Sequence, residues 1–284
     1  MIPIVGASAQ APRLISTAEL AAFQDSVPVR VLDVRQSWVS YLQNHLPNAA
    51  WLNVETLRAQ SHELPFQLLW AGQYVELFRR FDLDPRQPVV VYSAGDQLDI
   101  DATFTCWLLA SAGATRVYLL DGCYAKWELE SRPVTQRYPR WSPAGSGFRA
   151  KDFRPAIATL DEVQAAVRGS GALLVDARPP EQYGGAAGAQ LRRGHIPGAL
   201  NHPWKDDLEK PDLALVWKPV EALRASYLAQ GIAPERDIIL YCNSGTEASH
   251  VFFALRYLLG YPQVRIFTGS WTQWAEREEL PVAR

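Results

Sequence analysis

Residues 29–35 read VRVLDVR and residues 172–178 read ALLVDAR, and the landmarks downstream of the two stretches match as well. After the first come HLPNA from His45, VVVYS ending at Ser93, LLDG ending at Gly122, then Trp127 and Pro133-Val134. After the second come HIPGA from His195, IILYC ending at Cys242, FTG ending at Gly269, then Trp274 and Pro281-Val282. The His stands 48 residues before the end of the next apolar run in the first set and 47 in the second, and Gly precedes Trp by five in both. Matched spacing of unlike residue types marks a duplicated domain. A chain of 284 residues gives each copy the length to bury its own core. Between the copies, Thr135 to Phe153 is rich in Pro, Gly and Ser and reads as a linker, so the expected domains are 1–145 and 146–284.

Within each copy, short β-branched runs alternate with longer helical patterns. Val29–Asp33, Val89–Tyr92, Val117–Leu120, Leu173–Asp176, Asp237–Tyr241 and Val264–Phe267 suit buried parallel strands. Thr17 and Thr159 each place a capping hydroxyl ahead of a helical stripe, and Ala248 to Leu259 ends at Gly260 as a helix does. The expected class is α/β: two domains, each a central parallel sheet covered by helices on both faces.

Composition narrows the function. Hydrophobic residues make up 48% and charged residues 20%, and 28 Lys+Arg against 30 Asp+Glu leave a formal charge of -2. That balance, without a basic run, supplies no footprint for nucleic acid and no polybasic membrane patch. No stretch approaches the roughly 18 uninterrupted apolar residues of a membrane span. The opening MIPIVGASAQAPRLIS lacks the basic start and sustained apolar run of a signal peptide. Cys106, Cys123 and Cys242 form no CxxC, no disulfide framework and no zinc-ligand spacing. A reducing compartment, the cytoplasm, is expected.

One cysteine is placed for chemistry. In an open α/β sheet, ligands bind beyond the carboxyl ends of the strands. Asp237-Ile-Ile-Leu-Tyr is the strand, Cys242-Asn243-Ser244-Gly245-Thr246 the loop, and Glu247 onward the next helix. Loop and helix amides converging on the sulfur would favour the thiolate and lower its pKa, and Gly245 would let the backbone curl around it. Cys106, within TFTCWLLA, reads as core, and Cys123 as structural.

The combination of DxR, HIPGA, a strand ending in Cys with a glycine-containing loop, and G-x-x-x-x-W resembles the rhodanese homology domain. Its tandem copy, from about Val29 to Val282, resembles the two-domain sulfurtransferases that take thiosulfate or 3-mercaptopyruvate. The resemblance implies a cytosolic enzyme with no metal or organic cofactor, whose carboxy-terminal Cys242 cycles through a persulfide. It implies a small-molecule sulfur donor and a thiol or cyanide acceptor, with a thioredoxin-like protein as a candidate reductant. Ser93 at the matching position makes the amino-terminal copy the inactive wall of a cleft between domains.

The loop Cys242-Asn243-Ser244-Gly245-Thr246-Glu247 departs from the family where the donor would bind. Asn243 replaces a glycine of the mercaptopyruvate type, Glu247 adds a negative charge, and the family's anchoring arginine falls on Gln182. Asn243 to Glu247, with Arg178 and with Arg192 or Arg193 as substitute anchors, are the expected donor-binding residues. With no cation in the loop, mercaptopyruvate is the expected better donor. Arg178 also reads as one half of a structural pair with Asp176, as Arg35 does with Asp33, and the two HxPxA histidines as loop-fixing residues. His250, Trp271 and Trp274 read as packing. Two other functions compete. A phosphatase would need Cys-x5-Arg, but Ala248 stands there. A non-catalytic sulfur carrier or scaffold on the same fold remains as the alternative.

Overall fold

A computed structural model describes residues 11–61, 64–95, 99–141, 147–169 and 171–284. The expected domain boundary at 145 lies outside the described residues, as do residues 1–10 of the opening segment and residues 96–98 of the loop after Ser93.

Among the described residues, each copy is built on a parallel sheet. The first has five strands in the order Arg13–Ile15, Val117–Leu120, Val89–Tyr92, Arg30–Asp33 and Ala49–Trp51. The second has four, Val264–Ile266, Ile238–Tyr241, Leu173–Asp176 and Leu200–Asn201, with Ile157 bridging in parallel to Ile266 where the first sheet has its edge strand. Central strands such as Val89–Tyr92 and Ile238–Tyr241 are buried along their whole length, as runs without polar alternation require when helices cover both faces. The α/β reading holds.

Local signals are mostly obeyed. Thr159 caps the helix Leu160–Val167 in a reciprocal box with Glu162. At the first helix, Thr17–Ser26, the cap is Ser16, paired with Glu19, and Thr17 instead donates to Glu130 Oε2 at 2.5 Å. The helix after Cys242 runs Thr246–Phe252 and then widens into a π-turn over Phe253–Leu258 before stopping at Gly260, φ +75°.

One buried apolar cluster runs through both copies, from Leu32, Phe104 and Trp107 to Val175, Cys242 and Phe252. The helices Asp99–Ser111 and Thr246–Phe252 meet across it, with Thr103 and Ser249 hydroxyls 3.1 Å apart. The described residues of the segment expected as a linker have little regular structure, yet they are tied down. Phe148 packs on Phe78, Phe153 on Tyr74, and the Trp141 indole donates to Asn48 Oδ1.

Candidate active site

The strand Ile238–Tyr241 delivers Cys242 to its carboxyl end, where the backbone turns through Gly245 at φ +92° before the helix begins. A side chain at that φ would be strained, so glycine is the residue that lets the chain fold back. The fold brings the Gly245 amide to 3.0 Å from Cys242 Sγ. The Cys242 amide donates to Ser270 Oγ at 3.2 Å and its carbonyl accepts from the Trp271 amide at 2.9 Å, so the sulfur's backbone is held from both sides.

The expected lowering of the thiol pKa is not what this environment produces. Cys242 is 1% exposed, and burial pushes the thiol up to about 12, with the neighbouring Glu247 carboxylate adding to the shift. The amides of Ala248, Ser244 and Gly245 pull in the expected direction, but the loss of water around a charged sulfur outweighs them. Glu247 is itself pushed up to about 7, by burial first and then by Asp176, against the pull of Arg178.

Asn243 links the loop to its surroundings. Its amide group donates to Gln182 Oε1 at 2.9 Å and to Glu247 Oε2 at 3.4 Å, and its carbonyl accepts from the Thr272 hydroxyl at 2.7 Å. Gln182, expected from the sequence to stand in place of an anchoring arginine, instead holds the loop.

The arginines fall out unequally. Arg178 lies near the sulfur, but its fork grips Asp176, with Nη2 to Oδ2 at 2.6 Å, and the same nitrogen donates to the Gly194 carbonyl at 2.8 Å. Its guanidinium sits 4.7 Å over Trp271. Arg192 donates to the carbonyls of Arg277 and Leu280, which fastens the carboxy-terminal segment. Arg193 is exposed and makes no hydrogen bond or ion pair with the described residues. The cation that does reach the loop was not expected from the sequence. Arg58, from the amino-terminal copy, donates from Nη1 to Thr246 Oγ1 at 2.7 Å and to Ser244 Oγ at 3.3 Å.

The remaining singled-out residues are structural in their contacts. Cys106 is buried in the core, and Cys123 donates to Asp99 Oδ1 at 2.9 Å. His45 and His195 pair through their backbones with Thr135 and Ala283. Trp271 and Trp274 are buried. Among the described residues, no group of His, Cys, Asp and Glu could hold a metal ion, and no helix is long and apolar enough to cross a membrane.

Comparison with known proteins agrees with this architecture. The family model "Rhodanese-like domain" matches twice, over residues 16–130 and 159–277. The sulfur carrier protein TtuD of Thermus thermophilus is 32% identical, over 95% of this chain and 96% of its own. The thiosulfate sulfurtransferase of Corynebacterium glutamicum is 29% identical, over 95% and 90%. The crystal structure of SseA from Escherichia coli, described as a 3-mercaptopyruvate sulfotransferase, superposes with a TM-score of 0.78 at 26% identity, covering 91% of this chain and 98% of that one. With both copies matched by the family model and 91% of the chain superposing on 98% of SseA, the chain belongs to the rhodanese family, as a tandem two-domain member of its sulfurtransferases.

Proposed function

We propose that this protein moves sulfane sulfur from thiosulfate or 3-mercaptopyruvate to a thiol or cyanide through a persulfide on Cys242. The observation that carries the reading is the Cys242 sulfur at a strand end, under the Gly245 amide and against the wall of the other copy. The thiolate attacks the donor's outer sulfur. With thiosulfate the S–S bond breaks and sulfite leaves with its electron pair; with mercaptopyruvate the C–S bond breaks and the enolate of pyruvate leaves and takes up a proton. Cyanide or a thiolate then attacks the persulfide's outer sulfur, which releases thiocyanate or a new persulfide and restores the Cys242 thiolate. A thioredoxin-like dithiol as acceptor would be oxidised to its disulfide and release sulfide.

The proposed roles rest on position. Cys242 is the nucleophile, and Asn243, Ser244 and Gly245 of the loop, with Thr246 and Glu247 at the start of the helix, meet the donor. Arg178 adds positive potential beside the sulfur while bound to Asp176. The domain assignment, 1–145 as wall and 146–284 as the catalytic copy, belongs to the same reading. Incubation with each donor, followed by intact mass and peptide mapping, should show one added sulfur on the peptide containing Cys242 and none in Cys242→Ser. Equal labelling of Cys106 or Cys123 would sink the single-nucleophile mechanism. A second reading, a carrier that accepts sulfur but does not turn over with small acceptors, is favoured by the name of the Thermus relative. It predicts the added sulfur without catalytic thiocyanate formation.

A further inference from the structure

Arg58 comes directly after the short helical turn Val54–Leu57 and opens the strand Arg58–Ser61, which pairs with Leu64–Leu68 in an antiparallel hairpin. Its side chain is 9% exposed and flanked by the rings of Phe66 and Phe104, 5.1 and 5.6 Å from the guanidinium carbon. Nη1 donates to the hydroxyls of Thr246 and Ser244, the two residues on either side of the Gly245 amide that meets the sulfur. Nη2 donates to Glu55 Oε1 at 2.6 Å, and Glu55 is 58% exposed. Nε is enclosed and has no hydrogen-bond partner among the described residues. Asp101, whose carboxyl also lies in the field of Arg58, accepts instead from Gln36 at 3.1 Å.

Two buried arginines, one in each copy, are used differently. Arg35 and Arg178 each close a fork on a carboxylate with almost no exposure, which neutralises both charges. Arg58 faces two neutral hydroxyls on its inner side, and its carboxylate partner stands in solvent, where water and salt weaken the attraction. A desolvated cation with an idle N–H is costly unless an anion comes to it. Resting on the sulfur-transfer reading of Cys242, we infer that Arg58 is the anchor for the donor's anionic group. The carboxylate of mercaptopyruvate or the sulfonate-like end of thiosulfate displaces the Ser244 and Thr246 hydroxyls from the guanidinium, a few bonds from the sulfur to be transferred. The amino-terminal copy thereby supplies the charge that Gln182 lacks, and the doubly charged donor gains the more from it.

The test separates the anchor from the chemistry. In a Cys242→Ser background, which binds donor without turnover, thiosulfate affinity is measured by calorimetry with Arg58 native, Arg58→Gln or Arg58→Lys. The expected loss for Arg58→Gln is about 30-fold, the range of a charge-assisted hydrogen bond, with Arg58→Lys recovering part of it. In the Cys242 protein, Arg58→Gln should raise KM for thiosulfate and mercaptopyruvate while an uncharged organic trisulfide keeps its rate. Thermal melting checks that each variant folds, and the lysine variant keeps the test open if the glutamine one does not. Unchanged thiosulfate affinity, no thiosulfate binding by the Cys242→Ser protein, or an equal loss with the uncharged donor would overturn the anchor. Failure of the native protein to take sulfur on Cys242 would instead overturn the sulfur-transfer reading, and calorimetry would still report on Arg58.

Discussion

The two copies share a scaffold down to single hydrogen bonds and differ at the reactive loop. Asp33 and Asp176 grip Arg35 and Arg178 at 2.7 and 2.6 Å, and Tyr92 and Tyr241 hydroxyls accept from the Leu46 and Ile196 amides at 3.3 and 3.1 Å. Trp127 and Trp274 donate to the carbonyls of Pro133 and Pro281 at 2.9 and 2.8 Å. Even the left-handed residues after Gly122 and Gly269 match, Cys123 at φ 51° and Ser270 at φ 52°. At the loops, hydroxyl and thiol exchange places. Ser93 lies 3.3 Å from Cys123 Sγ, which faces Asp99, whereas the Cys242 amide donates to Ser270 and its sulfur meets the Gly245 amide and the loop held by Arg58. Burial and then Asp99 push the Cys123 thiol well above its ordinary range. One scaffold therefore holds either set of groups, and the difference lies in their neighbours: Asp99 faces the Cys123 thiol, whereas Cys242 meets loop amides that pull its thiol down together with Glu247, which pushes it up.

The most severe way to break this comparison is to move the sulfur. Cys242→Ser combined with Ser93→Cys should lose sulfur transfer by about 10³-fold or more, as removal of a nucleophile does, because the transplanted thiol stands beside Cys123, which itself faces Asp99, and lacks the Gly245 amide and Arg58. Thiocyanate formation from cyanide and donor measures it. Sulfur loaded at position 93 would show that the scaffold alone makes a cysteine reactive.

The paired forks offer a second cut. Arg35→Ala and Arg178→Ala each leave an aspartate buried without its partner, which should cost about 3–5 kcal/mol in urea unfolding. The stability losses should be alike. Activity should not be, since only Arg178 lies in the field of Cys242. Equal activity in the two folded variants would mean that Arg178 serves the scaffold alone.

How much the sequence discloses depends on how local the physics is. The DxR pairs, the HxPxA turns and the Thr159 cap are made within a few residues or between elements of one copy, so their spacing is visible in the chain. Ser16 and Thr17 are adjacent hydroxyls, and either could cap until Glu19 is seen to close on Ser16. Arg58 leaves no such trace. Its partners lie 186 and 188 residues away and meet it only when the copies pack. The thiol's direction of shift was illegible for the same reason: amide positions are set by strand, loop and helix, whereas dehydration of Cys242 depends on everything packed over it. Gln182 reads as a missing anchor until its contact with Asn243 turns it into a support for the loop.

Glu247 sharpens the contrast at lower amplitude. Its like charge is the second cause of the raised Cys242 thiol, after burial. Glu247→Gln removes that charge and should lower the thiol pKa, raising alkylation by neutral iodoacetamide near pH 8 by about tenfold. Alkylation rates against pH report it directly. A profile unmoved or displaced upward would show that the carboxylate does not act on the sulfur, and the two copies would then differ less in their electrostatics than their loops suggest.

The smallest expected effect lies where the copies meet. His250 is buried between Asp99 of the first copy and Asp207 of the second, each carboxylate oxygen 3.6 Å from a ring nitrogen, and its ring stacks on Trp217 at 4.1 Å. Burial opposes the imidazolium, yet the carboxylates of Asp207 and Asp99, each beyond hydrogen-bond reach of the ring, outweigh it and raise the pKa above the ordinary 6.5. Asp207 also accepts from Tyr227 and lies 3.0 Å from His202 Nε2, and its interactions with His202 and His250 hold its own pKa low despite burial. Because the folded state binds the His250 proton more tightly than the unfolded chain, this contribution to stability is full below pH 6.5 and fades as pH rises through the raised value. Urea unfolding at about pH 6 and about pH 9 should therefore show a larger loss at high pH in the native protein than in His250→Asn. Buried tyrosines lose stability at high pH in both proteins, so the difference between the two slopes isolates the histidine. Parallel slopes would mean that His250 is neutral in the fold and that Trp217 stacking, not a charge shared between the copies, holds it there.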